Sequence, residues 1–109
     1  MRGKSWSLLS LLKISRRAGN EIVRITQTKQ FKKDFRKQLK RGKKPEKLFD
    51  FLEILVKERE IPQKYKDHAL RGNWVGRRDC HIEPDWVLIY QKREKEIVLE
   101  RTGSHSDLF

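Results

Sequence analysis

The chain has 109 residues, which suits one domain built around one modest hydrophobic core. Its 27 lysines and arginines against 15 acids leave a net charge of +12, a field that draws polyanions and makes nucleic acid the first partner class to consider. A single cysteine, Cys80, excludes an internal disulfide and a cysteine-ligated zinc, and it suits a reducing cytoplasm.

The chain begins MRGKSWSLLSLLKISRR, a basic leader followed by leucines. Lys13 and the serines interrupt that segment, no small-residue cleavage pattern follows, and the apolar run is too short to span a bilayer. Residues 1–21 therefore read as an N-terminal extension or an upstream start, and the folded domain as 22–109, with no membrane segment. Ile22 to Gln27 (IVRITQ) is short and β-branched, a predicted first strand. Thr28 can cap a helix whose apolar positions Phe31, Phe35 and Leu39 recur every four residues and which ends near Gly42. Its other faces carry Lys29, Lys32, Lys33, Arg36, Lys37, Lys40 and Arg41, a basic surface for RNA. Pro45 opens a second helix, in which Leu48, Phe51, Leu52, Leu55 and Val56 form one stripe, and Pro62 marks its end.

Beyond Pro62 the pattern turns to strands. Arg77 to Ile82 is one candidate, Glu83-Pro84-Asp85 a reversal, Trp86 to Gln91 (WVLIYQ) a nearly continuous apolar strand covered on both faces, and Glu96 to Arg101 another. Ser104 and Asp107 make a capping box for a closing turn, SHSDLF. The expectation is an α+β domain, two helices packed on an antiparallel or mixed sheet of about four strands.

All three histidines fall in this second half. His81 ends one strand and Asp85 begins the next, Arg101 ends the last strand, His105 opens the closing turn, and His68 precedes the strands. Cutting RNA without a metal needs a base for the 2′-hydroxyl proton, an acid for the departing 5′-oxygen and a cation for the crowded phosphorane. His68, His81, Asp85, Arg101 and His105 supply those types. Taken singly, each histidine reads more readily as an ordinary surface or core residue than as a functional one. No two stand at helical metal-ligand spacing, so no metal or cofactor is assigned. Trp74 and Arg77 are candidates to touch RNA, Trp86 reads as core, and Asp79 reads as a support for a neighbouring imidazole or as a surface ion pair.

The segments YKDHAL, RGNWVGRRDCHIEPDWVLIY and ERTGSHSDLF resemble the YafQ branch of the RelE-type toxins of bacterial toxin-antitoxin systems, a likeness covering about residues 22–109. The resemblance implies a microbial ribonuclease-like fold and a ribosome-dependent endoribonuclease that cuts mRNA in the decoding site and halts translation. By that likeness His105 is the general acid, and His81, Asp85 and His68 share base and phosphate-orienting roles. Arg101 stabilises transition-state charge and Phe109 positions a base. The expected partners are an acidic antitoxin, the ribosome with its 16S rRNA, mRNA, and operator DNA through the antitoxin complex alone. Two other readings keep the basic surface but drop the chemistry: a ParE-like toxin that binds a protein such as DNA gyrase, and a plain RNA-binding module.

Overall fold

The computed structural model describes the backbone of residues 14–16 and all of residues 21–109. In chain order the elements are β1 (Ile14–Arg16), β2 (Ile22–Gln27), α1 (Lys29–Lys40), α2 (Pro45–Val56), β3 (His68–Ala69), β4 (Arg78–Glu83), β5 (Trp86–Lys92), β6 (Glu96–Gly103) and the closing turn α3 (His105–Leu108). Short 3-10 turns fall at Gln63–Tyr65 and Gly72–Trp74. The strands form one sheet in the order β1-β2-β6-β5-β4-β3, antiparallel except for the β2–β6 pair.

Alternation builds β2: Val23 and Ile25 point into the core while Ile22 and Arg24 face solvent. Thr28 then caps α1 as expected, its hydroxyl accepting from Phe31 N at 2.9 Å and donating to the Glu100 carbonyl at 2.8 Å. Gly42, with φ of +91°, ends α1; its N–H returns to Leu39 O and that of Lys43 to Gln38 O. The α2 stripe is buried throughout, and with Phe31 and Phe35 it packs on Cys80, Ile82, Trp86, Leu88, Tyr90 and Leu99 of the sheet. Phe51 sits at the middle of this core, 4.9 Å from the Tyr65 ring and 5.7 Å from that of Tyr90.

WVLIYQ is covered twice. Trp86, Leu88 and Tyr90 face the helices, whereas Val87 and Ile89 join Leu108, Leu70 and Trp74 in a second, smaller cluster on the other face. Two bulges break the sheet's register. One lies between His81 and Glu83, the other adds Glu100 to β6 just before Arg101; extra residues of this kind re-aim the side chains beside them.

Among the described residues the sheet has six strands rather than about four. His68–Ala69 pairs with β4 although two residues carry no periodic signal, and β6 runs on to Gly103, past the expected end at Arg101. Ile14–Arg16, within the expected extension, pairs with β2 as an edge strand. The rest of that extension, 1–13 and 17–20, lies outside the described residues. Among the described residues no helix is long and apolar enough to cross a membrane.

Candidate active site

Strand period places two side chains first. Cys80 and Ile82 turn into the core, so Asp79 and His81 share the face away from the helices. Register then sets His68 opposite Asp79. Asp67, the acid of YKDH, ties this short strand down: it accepts from Arg78 Nε at 3.0 Å and Nη2 at 2.7 Å, and from the Tyr90 hydroxyl. His68 Nδ1 lies 2.7 Å from the Lys66 carbonyl and 3.1 Å from Asp79 Oδ1. The hydrogen bond goes to the carbonyl, which leaves buried Asp79 Oδ1 beside the His68 ring but without a hydrogen bond.

The other half of the site arrives with the last residues. Both arms of the Ser104–Asp107 capping box form, and they open α3 with His105 at its first position. The backbone N–H of His105 and its ring Nδ1 both donate to Asp85 Oδ1, at 2.9 and 2.8 Å. The rings of His81 and His105 stand edge to face with centroids 5.1 Å apart, and the Phe109 ring, 60% exposed, is 6.4 Å beyond His105.

Electrostatics treats these groups unequally. Burial raises the Asp79 carboxyl above the usual aspartate value, against the pull of His68, His81 and His105. Burial also lowers His81, with His105 and Lys66 pushing the same way and Asp79 opposing. Asp85 is held low, chiefly by the His105 backbone N–H and then by its ring. An ionised carboxylate can only accept, so Nδ1 of His105 carries a proton and Nε2 is its working nitrogen. An imidazole whose protonated form is disfavoured by burial thus faces one that is seated on a carboxylate. Such a pair can take a proton at one ring and give one at the other.

The remaining expected site residues are dispersed. Arg101 is directed at α1, its Nε 2.6 Å and Nη2 3.3 Å from Asp34, beside a separate cavity of about 230 Å³. Two of the three nitrogens expected to meet phosphate are therefore engaged by a carboxylate. Trp74 is half-buried against Val87, Ile89 and Leu108 instead of standing free for a base. Arg77 lies 3.5 Å from Glu100 and donates to the Val75 carbonyl. Lys29, Lys32, Lys33, Arg36 and Lys40 are exposed along α1, but Lys37 is drawn to Asp107. Asp34 was missed as a structural acid. The signal was there, since Asp34 and Gln38 fall on the same helical stripe as Phe31 and Phe35, and a polar residue at a core position needs a partner. Asp67 was likewise passed over beside its histidine.

The YafQ profile, described as the bacterial toxin of type II toxin-antitoxin systems, matches residues 23–109. The chain belongs to the YafQ family. The mRNA interferase toxin YafQ of Escherichia coli K12 is 44% identical over 81 residues, 73% of this chain and 88% of that one. A putative YafQ toxin of Haemophilus influenzae is 39% identical over 72 residues, 63% and 71% of the two chains. Among solved structures, YafQ in the Escherichia coli DinJ-YafQ toxin-antitoxin complex aligns with a TM-score of 0.73 at 42% identity, covering 80% of this chain and 97% of that one. A copper-bound mutant toxin from Helicobacter pylori aligns at 0.75 and 39%, covering 80% and 99%. The α+β fold described above is thus the RelE-like fold of YafQ toxins.

Proposed function

We propose that this YafQ-family toxin is an endoribonuclease that cuts mRNA on the ribosome by general acid-base catalysis at His81 and His105. One observation carries the reading: two imidazoles 5.1 Å apart, one whose protonated form burial disfavours and the other seated on Asp85. Neutral His81 takes the 2′-hydroxyl proton as that oxygen attacks the adjacent phosphorus. The P–O5′ bond breaks, and His105 Nε2 gives its proton to the departing oxygen, leaving a 2′,3′-cyclic phosphate on one product. Asp85 steadies the imidazolium before transfer and keeps Nδ1 engaged. Lys66, which lines the same groove as His81 and acts on its charge, supplies a cation for the phosphorane. Phe109 offers an exposed ring beside His105 on which a base can stack. His68, turned to Asp79 and the Lys66 carbonyl, orients rather than transfers.

No step in this scheme requires a metal. The exposed cations of α1 supply docking to ribosomal RNA, and an acidic antitoxin is the inhibitory partner. The Escherichia coli relative's complex with DinJ supports that partner. The test is cell-free translation with the wild type and His105→Ala, reading the 5′ ends of the message by primer extension. Wild type should cut translated message, leave naked RNA nearly intact, and keep its rate when phenanthroline strips transition metals but not ribosomal magnesium. Equal cutting by both proteins, or none by either, overturns the reading.

A further inference from the structure

The basic surface read from the sequence runs along α1 from Lys29 to Arg41, but Lys37 and Arg41, with Lys43 and Lys47 at the α1–α2 corner, are engaged within the molecule. Arg41 forks onto Asp107, Nη1 2.7 Å from Oδ2 and Nη2 3.3 Å from Oδ1, and Lys37 Nζ lies 3.4 Å from Oδ1. Lys43 and Lys47 grip the two oxygens of Glu83 at 2.7 and 2.8 Å. The placement of the two gripped acids is informative. Glu83 stands two residues before Asp85, and Asp107 two residues after His105.

We propose that Lys37, Arg41, Lys43 and Lys47 form a brace that positions Asp85 and His105 against each other, one pair of cations holding the β4–β5 reversal and the other holding α3. They are positioning residues, since none touches the reacting imidazole. The inference rests on the reading that His105 transfers a proton.

The need for a brace follows from the local structure. A turn of four residues is too short to hold itself. Leu108 anchors α3 in the small cluster, the capping box closes its first turn, and the Asp107 carboxylate leaves two oxygens for Arg41. The fit is close on the inner side as well, where a Cβ on Gly103 would come within 2.9 Å of Asp107 Cβ and Oδ2. Asp85 is exposed, and its reversal is tied to the helices through Glu83. The gripped pairs are separated by 36 to 70 residues, so they set the mutual placement of segments that the backbone alone leaves independent. Partly exposed ion pairs add little to global stability. Orientation is more demanding, because an ångström of misplacement can lower a rate about 100-fold.

The brace and a docking surface make different demands on the same variants. Arg41→Gln, and Lys43→Gln combined with Lys47→Gln, are compared with wild type and with Lys57→Gln, which removes a charge at the far end of α2. Two readouts are taken: the nuclear Overhauser contact between the His81 and His105 rings in the isolated protein, and single-turnover cleavage over a range of ribosome concentrations. The brace predicts loss of the ring contact and about a tenfold lower saturated rate. The concentration for half-saturation should stay unchanged, Arg41→Lys should restore part of the rate, and Lys57→Gln should behave as wild type. An intact ring contact with an unchanged saturated rate and weaker half-saturation would make these cations docking groups and overturn the proposal. If wild type cuts no message, the acid-base reading fails, and the ring contact alone decides the brace.

Discussion

His81 stands on an interior strand of the sheet with Cys80 and Ile82 locked in the core on either side of it, whereas His105 rides on a four-residue turn at the chain's end and is half exposed. The first ring is held by the sheet and loses proton affinity to burial. The second is held by polar contacts: two donors to Asp85, a capping box, and the ion pairs of Asp107. The difference teaches how two identical side chains 5.1 Å apart can be held in place by opposite means. In the proposed mechanism the desolvated ring is the base and the ring seated on Asp85 is the acid.

Removing either ring should break the comparison outright. His81→Ala and His105→Ala should each lower the cleavage rate by roughly 10²–10⁴-fold in single-turnover measurements, with little change in melting temperature for His105→Ala because its side chain is outside the core. Asp85→Asn sharpens it, since the amide keeps the shape but not the charge, and a loss of about 10- to 100-fold is expected, the range for groups that orient a working imidazole. An unchanged rate would remove Asp85 from the chemistry.

The pH profile separates the two rings further. His81 has its folded-state midpoint below the ordinary histidine value, so the neutral base persists into mildly acidic solution and is lost as pH falls through that lower midpoint. The acid limb of the rate should therefore lie below about pH 6.5, dropping about tenfold per unit beneath its midpoint. A limb above that value would contradict a desolvated base. The smallest expected effect concerns Asp79. Its carboxyl midpoint is raised by burial, so the fold gains from the protonated form below the unfolded value and loses that gain as pH rises through the folded value. At neutral pH the buried charge is a liability, and Asp79→Asn should raise the melting temperature slightly. A lower melting temperature would mean that the charge is better compensated than an Oδ1 without a hydrogen bond implies.

Periodicity made both helices and the central strand legible, because burial imposes a repeat: Leu48, Phe51, Leu52, Leu55 and Val56 on α2, and WVLIYQ as a strand covered on both faces. The capping box at Ser104 was equally readable, being a local pattern. What escaped the sequence was pairing over distance. Nothing in the spacing says that Asp34 takes the Arg101 fork, that Asp67 holds Arg78 and Tyr90, or that Arg41 reaches Asp107 across 66 residues. For the same reason Lys37 and Arg77 read as free cations, although each has an acid close by once the chain folds. Residue type told which groups could do chemistry; only the fold told which of them were already engaged.

The division of labour between the two rings is the central claim, and a modified message tests it most directly. Ribosomes are programmed with an mRNA in which sulfur replaces the bridging 5′-oxygen at the cleavage position, a leaving group that departs without being protonated. His105→Ala should cut this message nearly as fast as wild type, while His81→Ala stays slow because the 2′-hydroxyl still needs its base. If the sulfur restores both variants, or restores neither, His105 is not the general acid of the proposed mechanism.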